Sequence, residues 1–224
     1  MTDRLHTDAG LGPRARALMP LPRVAPIIPT RRKQPFDDPS WLFDCKYDGF
    51  RAVCYVQQGR GRFVSRNGNP MGRFDELGDQ LAARLDLDEA ILDGEVIAAD
   101  ATGRPQFYDL LRRARAPAYV AFDIVWADGR DLRALQLSER RLRLLSILPT
   151  RSALLPETLS VVGRGCELFE LMRAHDLEGI VAKRLADPYR SGVRWLKIKN
   201  PDYTQQEGRR DLFNGAIQRA LERV

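Results

Sequence analysis

The chain has 224 residues, of which 44% are hydrophobic and 29% are charged, a composition typical of a soluble globular protein. No apolar run reaches the length of a membrane-spanning helix, and the amino-terminal segment lacks the apolar core of a secretion signal. The three scattered cysteines indicate a reducing, cytoplasmic location and no disulfide framework. The net charge of +6 favours a polyanionic partner, nucleic acid first, and without a spanning segment no membrane partner is expected.

The first half of the chain predicts mostly strands. Residues 1–25 are rich in proline and are interpreted as a mobile leader that turns into an extended segment at VAPIIPT. The next three segments predict an antiparallel meander with glycine-marked turns: WLFDCKYDG, FRAVCYVQQ and RFVSRNG. MGRFDELGDQLAARL has apolar residues at helical spacing, and AILDGEVIAAD predicts a strand pair or one bent strand.

The second half alternates helices and strands. Helices are predicted over FYDLLRRARA, over LSERRLRLLSILP with Ser138 as its N-cap, and over CELFELMRAHDL. Strands are predicted over AYVAFDIVWA, EGIVAKRL and RWLKIKN. The fold class is therefore α+β, with antiparallel sheets flanked by helices. The main domain is predicted over residues 26–200, followed by a helical tail over 201–224.

Lysine is rare in this chain, which otherwise uses arginine for its positive charges. Among 36 basic residues the lysines are Lys33, Lys46, Lys183, Lys197 and Lys199. Arginine stays protonated at any workable pH, whereas a lysine beside other cations can lose its proton and become a nucleophile. Lys46, within FDCKYDGFR, is the candidate nucleophile. The alternative, an ordinary surface lysine, has less weight in a chain so poor in lysine.

Two further lysines share one face of a predicted strand. Lys197 and Lys199 are two positions apart, so both side chains point to the same side. With Lys183 they form a group of amines that could hold phosphate oxygens and lower the pKa of Lys46. The alternative is that these lysines are solvent-exposed residues that keep an edge strand from pairing with another chain, a role in which lysine is common.

Two carboxylates and one aromatic residue complete the candidate set. Glu95 ends LDGE in an apolar segment, and Glu178 opens EGIVAK after a helix. A half-buried carboxylate is costly unless it is paired or bound, so either residue could hold Mg²⁺ or a ribose hydroxyl. The alternative is a turn carboxylate in ordinary solvent contact. Phe122, in VAFDIVW, is by default a core aromatic.

Six short motifs in order resemble the covalent nucleotidyltransferase superfamily, specifically the ATP-dependent DNA ligases of the bacterial repair type. They are KYDGFR, SRNG, LDGE, AFDIVW, EGIVAKR and WLKIK, and the resemblance covers most of the chain. One KxDG motif would be weak, but five more in the right order make chance agreement very unlikely. The resemblance implies the ATP-grasp-like nucleotidyltransferase fold of DNA ligases.

The resemblance also implies how ATP is held. Lys46 would attack the α-phosphorus of ATP, forming lysyl-AMP and releasing pyrophosphate. Glu95 would bind the ribose hydroxyls, and Phe122 would stack on the adenine. Asp44 and the backbone of Cys45 would flank the adenine edge.

Phosphate and metal contacts follow from the same resemblance. Glu178 would support the catalytic Mg²⁺. Lys197 and Lys199 would neutralise the α-phosphate as charge spreads in the transition state. Lys183 is assigned to the same phosphate-binding group.

The remaining implied roles concern nicked DNA, the expected partner. Arg51 and Arg66 would contact the nucleotide or the 5′-phosphate of the nick, and Asp48 would lie near the 3′-hydroxyl. AMP would pass to the 5′-phosphate, and the 3′-hydroxyl would displace it to seal the strand in DNA repair.

The sequence departs from the family pattern after Lys199. The family usually carries a carboxy-terminal OB-fold domain with a last motif, RxDK, and no segment here is long enough for it. The expectation is therefore an adenylation domain lacking the OB-fold. Asp44 also stands where many relatives have glutamate. The alternatives are a nucleotide- or nick-binding accessory module that needs a partner protein with an OB-fold, or an RNA ligase.

Overall fold

The computed structural model describes residues 20–206, whose strands form two five-stranded sheets. In chain order the strands are β1 Thr30–Arg31, β2 Asp38–Cys45, β3 Phe50–Gln57, β4 Arg60–Ser65, β5 Glu89–Ile97, β6 Ala118–Ala127, β7 Arg130–Asp131, β8 Ser160–Gly163, β9 Gly179–Arg184 and β10 Leu196–Lys199. The helices are α1 Asp75–Ala82, α2 Phe107–Arg112, α3 Leu137–Ile147 and α4 Gly165–Ala174, with short 3₁₀ turns at Gly72–Phe74 and Thr204–Gln206.

Sheet A has the strand order β1-β10-β9-β2-β8, antiparallel except for the parallel pair β1 and β10. Alternate residues of β2 pack with α4, because Trp41 and Phe43 share a core with Phe169. The residues between them, such as Asp44, face the opposite side of the sheet and line a cavity. Sheet A therefore has one face covered by a helix and one face available for a site.

Sheet B has the order β4-β3-β5-β6-β7 and is antiparallel throughout. Its largest core takes side chains from α1, including Leu81, and from α3, including Leu144. A separate core contains Val53 of sheet B and Trp195, with Val181 of sheet A packed against it. This contact holds the two sheets together beside the site.

The predicted meander is wrong in its first pair. β2 pairs with β8 and β9 of sheet A, while β3 pairs with β4 and β5 of sheet B. Residues 46–49 therefore cross from one sheet to the other. Gly49 permits the crossing, because a Cβ there would lie 2.1 Å from the carbonyl oxygen of Val96. A turn motif cannot show whether its flanking strands pair with each other, since pairing depends on distant partners.

Two local predictions are resolved by the structure. AILDGEVIAAD forms one strand, β5, whose pairing with β6 shifts register twice, as expected for a bent strand. The predicted N-cap Ser138 is wrong, since α3 begins at Leu137 after Gln136, whose N–H donates to Glu139 Oε2 at 3.0 Å. Ser138 instead lies in the first turn and donates its backbone N–H to the Leu185 carbonyl.

The predicted leader and tail extend beyond the described residues at 1–19 and 207–224. Residues 20–25 have no regular secondary structure, but Val24 donates its N–H to the Tyr55 hydroxyl at 3.0 Å. Leu21 and Val24 both pack against the core between the sheets. Across residues 20–206, every helix is too short or too polar to cross a membrane.

Candidate active site

A cavity of about 420 Å³ opens between sheets A and B. Eleven of the twelve residues singled out from the sequence line it, although they come from six separate segments: Asp44, Cys45, Lys46, Arg51, Arg66, Glu95, Phe122, Glu178, Lys183, Lys197 and Lys199. Asp48 is the exception. The structure therefore gathers the motifs into one place, while the role of each residue stays a prediction.

Lys46 is held at the point where the chain leaves sheet A. Its N–H donates to the carbonyl of Gly179 at 2.9 Å, which ties the residue to the start of β9. Gly179 has φ +131°, and a Cβ there would lie 2.1 Å from the carbonyl oxygen of Ile198. The position therefore favours glycine, and the close approach of β10 that it allows brings Lys199 beside Lys46.

Glu178 lies between two of the lysines. Its Oε2 is 2.5 Å from the Lys46 ammonium and its Oε1 is 3.0 Å from that of Lys199. Burial opposes ionisation of this carboxyl, but Lys46 and Lys199 outweigh burial and hold its pKa below the usual value. Glu178 is therefore a carboxylate that holds two amines in the cavity.

Lys197 adds a further cation on the same strand face as Lys199. Burial lowers the pKa of Lys197, and the charges of Lys46 and Lys199 lower it further. Arg66, exposed at the cavity rim, contributes in the same direction. Three lysines and one arginine thus face a space with room for a polyanion.

Lys183 lies at the other end of the cavity. Its ammonium is 2.5 Å from Asp44 Oδ2 and 4.2 Å from the ring centroids of both Phe122 and Trp195. Burial lowers the pKa of Lys183, although Asp44 opposes this. It is four positions from Gly179 in β9, about 13 Å along the strand. The structure thus places Lys183 with an aromatic end of the cavity, and its assignment to phosphate stays a prediction.

Arg51 forms an ion pair with a carboxylate of the protein. Its Nε and Nη2 donate to the two oxygens of Asp93 at 2.7 and 2.6 Å, and Asp93 also accepts from the Tyr189 hydroxyl at 2.7 Å. Burial opposes the charge of Arg51, but Asp93 outweighs burial and raises its pKa. The guanidinium also lies 4.5 Å from the centroid of the Phe122 ring.

The surroundings of Phe122 bear on its predicted stacking role. The residue is 8% exposed, and its ring has the Arg51 and Lys183 cations over it. Adenine stacking on Phe122 therefore stays a prediction.

Three other predicted residues differ in environment. Burial raises the pKa of Glu95 to about 7, although Lys46 and Arg51 oppose the rise. Burial raises the pKa of the Cys45 thiol to about 12, so this thiol is a poor nucleophile. Asp48 is buried off the cavity wall and accepts from the Tyr203 hydroxyl at 2.9 Å.

Sequence reasoning missed Val181 and Trp195, which both line the cavity. A signal was present in the alternation of the strands. Val181 is two residues before Lys183, and Trp195 is two residues before Lys197, so each shares a strand face with a residue already singled out. Their apolar character made them indistinguishable from core residues.

A divalent cation fits these residues if the substrate supplies some of its ligands. Within residues 20–206 no group of three or more His, Cys, Asp or Glu side chains could form a metal site. The cavity offers the carboxyls of Glu178 and Glu95. Mg²⁺ commonly binds through one or two carboxylates together with substrate phosphates, and the residues fit that arrangement.

The two five-stranded sheets, with a lysine held over a cationic cavity between them, have the fold of a nucleotidyltransferase domain. Residues 31–199 match the ATP-dependent DNA ligase domain, and the chain belongs to this family of ligase enzymes.

Curated relatives agree with this assignment. The SPbeta prophage-derived DNA ligase-like protein LigB of Bacillus subtilis is 33% identical, over 81% of this chain and 69% of that protein. The multifunctional non-homologous end joining protein LigD of Mycolicibacterium smegmatis is 35% identical, over 71% of this chain and 21% of that protein. This chain thus spans only about a fifth of that LigD.

Solved structures give the same result. The ligase domain from Mycobacterium tuberculosis LigD superposes with a TM-score of 0.68 and 31% identity, covering 78% of this chain and 59% of that one. The mycobacterial DNA ligase D complexed with ATP and MES has a TM-score of 0.67 and 29% identity, covering 79% and 60%.

Proposed function

We propose that this chain is an ATP-dependent DNA ligase domain that adenylylates its own Lys46 and passes the AMP to the 5′-phosphate of a nick. The observation that carries the proposal is the contact of Lys46 with Glu178, in a cavity that Lys197 and Lys199 also line. Membership of the ligase family and the solved complex of the mycobacterial DNA ligase D with ATP support the choice of ATP.

In the first step the Lys46 nitrogen forms a bond to the α-phosphorus as the bond to pyrophosphate breaks. The attacking amine has to be neutral, so Lys46 gives up a proton before attack, and the Glu178 carboxylate, 2.5 Å from its nitrogen, is placed to accept that proton. Lys197 and Lys199 stabilise the phosphate oxygens.

Mg²⁺ belongs to this proposal as a cation shared between protein and substrate. When bound it would neutralise phosphate charge, with Glu178 as its protein ligand.

The base and the ribose occupy the other end of the cavity in this proposal. Asp44 and Lys183 present a buried carboxylate and amine toward the edge of the base, and Phe122 its ring. The Glu95 carboxyl, with a pKa of about 7, can accept from or donate to a ribose hydroxyl.

Nicked DNA is the proposed substrate of the later steps. AMP moves from Lys46 to the 5′-phosphate, and the 3′-hydroxyl then displaces it to close the strand. The LigD relatives are named multifunctional end-joining proteins, and a partner domain that assists this chain belongs to the same proposal. The described cysteines are free, which is consistent with a cytoplasmic location.

The test is retention of label from α-labelled ATP and Mg²⁺ on the denatured protein. The wild type should form the adduct, and Lys46→Arg should form none, because arginine keeps the charge beside Glu178 but is not deprotonated. Lys33→Arg is the matched control, since Lys33 is exposed and outside the cavity. A labelled Lys46→Arg protein, or an unlabelled wild type, would contradict the proposal.

Sealing is tested separately with nicked DNA that already carries the 5′-adenylate. Joining without ATP is expected, because the first step is bypassed. A matched substrate with RNA strands distinguishes an RNA ligase. Failure on adenylylated DNA alongside successful lysyl-AMP formation would restrict the chain to the first step.

A further inference from the structure

The short turn that carries Lys46 crosses from sheet A to sheet B and is held in place from several sides. The Lys46 N–H is bonded to the start of β9. The Tyr47 hydroxyl accepts from the N–H of Leu159, just before β8, at 3.1 Å. The position of Lys46 in the cavity therefore depends on contacts that its neighbours in the turn make with distant segments.

Asp48 provides a further contact of this turn. It is buried, and its Oδ2 accepts from the Tyr203 hydroxyl at 2.9 Å. Tyr203 is buried as well, although Pro201, Asp202 and Thr204 beside it are exposed. A phenylalanine ring would fill the same space, so the hydroxyl has a separate use. It donates to a buried carboxylate, which would be costly without donors, two positions after the candidate nucleophile.

Residues 200–206 form a strap that follows β10 and contains this tyrosine. On one side the strap is fixed to the turn between α4 and β9. Thr204 donates through its N–H and its hydroxyl to the two oxygens of Asp176 at 2.9 and 2.6 Å. The Asn200 amide donates to the Leu177 carbonyl at 3.0 Å. The strap is thus anchored where the chain enters β9 of sheet A.

The strap also contacts the loop between β5 of sheet B and α2. The Gln205 amide donates to the Pro105 carbonyl at 3.0 Å, and its oxygen accepts from the N–H of Phe107, a residue of the cavity wall, at 3.2 Å. Arg104 of the same loop donates to the Thr204 hydroxyl at 3.3 Å. The strap therefore joins segments that belong to both sheets, with its tyrosine between the anchored ends.

We propose that Tyr203 is a positioning residue for the nucleophile, acting through Asp48 on the turn that carries Lys46. The inference rests on the proposed function, because it requires Lys46 to be the nucleophile. Among the described residues that line the cavity none belongs to the strap, so an effect of Tyr203 on the reaction has to pass through the turn. Attack requires the amine in a near-attack geometry, and a displacement of about 1 Å can cost about 100-fold in rate.

The test is the single-turnover rate of lysyl-AMP formation from α-labelled ATP and Mg²⁺, in the wild type and in Tyr203→Phe. The first-order rate constant at saturating ATP should fall about 10- to 100-fold in the variant. The ATP concentration that gives half of the maximal rate should not change, because no nucleotide contact is removed. A purely structural role would lower the fraction of protein labelled and leave the rate constant unchanged, and that result would overturn the proposal. So would a changed half-saturating ATP concentration with an unchanged maximal rate.

Tyr55→Phe is the matched control. The Tyr55 hydroxyl also makes a hydrogen bond, which it accepts from the N–H of Val24, but the residue does not line the cavity. Its rate constant should equal that of the wild type. An equal fall in both variants would assign the effect to the loss of any tyrosine hydroxyl and would overturn the proposal.

The route through Asp48 is tested in an Asp48→Asn background. A neutral amide makes a weaker hydrogen bond with the tyrosine, so Tyr203→Phe should slow this protein by a smaller factor than it slows the wild type. The same factor in both backgrounds would show that the two residues act independently and would overturn this route. A wild type that forms no lysyl-AMP would count against the proposed function and this inference with it. A Tyr203→Phe protein as fast as a labelled wild type would overturn this inference alone.

Discussion

At the scale of single residues, the site depends on charges held close together before any substrate arrives. Glu178 is 3% exposed and contacts the ammonium groups of both Lys46 and Lys199. A buried carboxylate is costly alone, and two lysines offset that cost. The same carboxylate therefore lies beside the candidate nucleophile in a position set by two ion pairs.

Glu95 gives a pH prediction at this scale. Its pKa is raised by burial from 4.5 to about 7, so the folded state holds this proton more tightly than the unfolded state. The wild type therefore loses stability as the pH rises from about 4.5 to 7. Glu95→Gln should remove that loss and stabilise the protein above pH 7, by up to about 3 kcal/mol, with little difference near pH 4.5.

The measurement is urea unfolding of both proteins across this pH range, compared as a difference because other groups titrate as well. A difference that stays constant with pH would show that Glu95 does not have the raised pKa. Glu76→Gln is a suitable control, since Glu76 is exposed on α1.

At the scale of elements, α3 is fixed to sheet B by a fully buried ion pair. Arg140 donates through Nε and Nη2 to the two oxygens of Asp123 at 2.8 and 2.9 Å, and both side chains are 0% exposed. Arg140 also donates to the carbonyl of Asp187, in the segment that follows β9. The residue next to Asp123 is Phe122, so this pair also supports the cavity wall.

Removing one charge of this pair should be severe. Asp123→Asn leaves Arg140 buried without its counter-ion, and a loss of about 3 to 5 kcal/mol in the free energy of unfolding is expected. Asp128→Asn removes an exposed partner of Arg143 and should cost less than about 1 kcal/mol. The two variants are compared by the urea concentration at the midpoint of unfolding, provided that the slope of the free energy of unfolding against urea is the same for both. Equal effects from the two changes would contradict the special role of the buried pair.

For some elements, the local sequence pattern was sufficient to predict the secondary structure. The helices over FDELGDQLA and CELFELMRA form where apolar spacing predicts them, as α1 and α4. The glycine-marked hairpin of β3 and β4 also forms as predicted. Spacing and turns depend on neighbours in the chain, so a local reading can recover them.

At the scale of the whole molecule, the cavity walls come from both sheets. Lys46, Lys197 and Lys199 belong to segments of sheet A, while Glu95 and Phe122 belong to sheet B. A nucleotide that contacts both sets joins the two sheets and stabilises the folded state as a unit.

A non-cleavable ATP analogue should therefore raise the melting temperature. At a concentration 100 times its Kd it adds about 2.7 kcal/mol. For a domain of this size that corresponds to a rise of roughly 5 to 10 °C. The double variant Lys197→Ala with Lys199→Ala should need far more analogue for the same shift. The control Arg143→Ala should behave as the wild type, and an unchanged response of the double variant would contradict the proposed phosphate contacts.

The sequence by itself determined the family to which the chain belongs. The class of enzyme and eleven cavity residues were predicted from three signals. They are a lysine in a chain that otherwise uses arginine, two more lysines at alternating strand positions, and six ordered motifs. These signals are local, since residue type and spacing are written along the chain.

Only the tertiary structure decided which groups face each other. It placed β2 and β3 in different sheets, paired Glu178 with Lys46, separated Lys183 from the other site lysines and engaged Arg51 with Asp93. It also brought Tyr203 beside Asp48. These contacts join residues that are far apart in the chain, 42 positions for Arg51 and Asp93 and 132 for Lys46 and Glu178, which no local pattern contains.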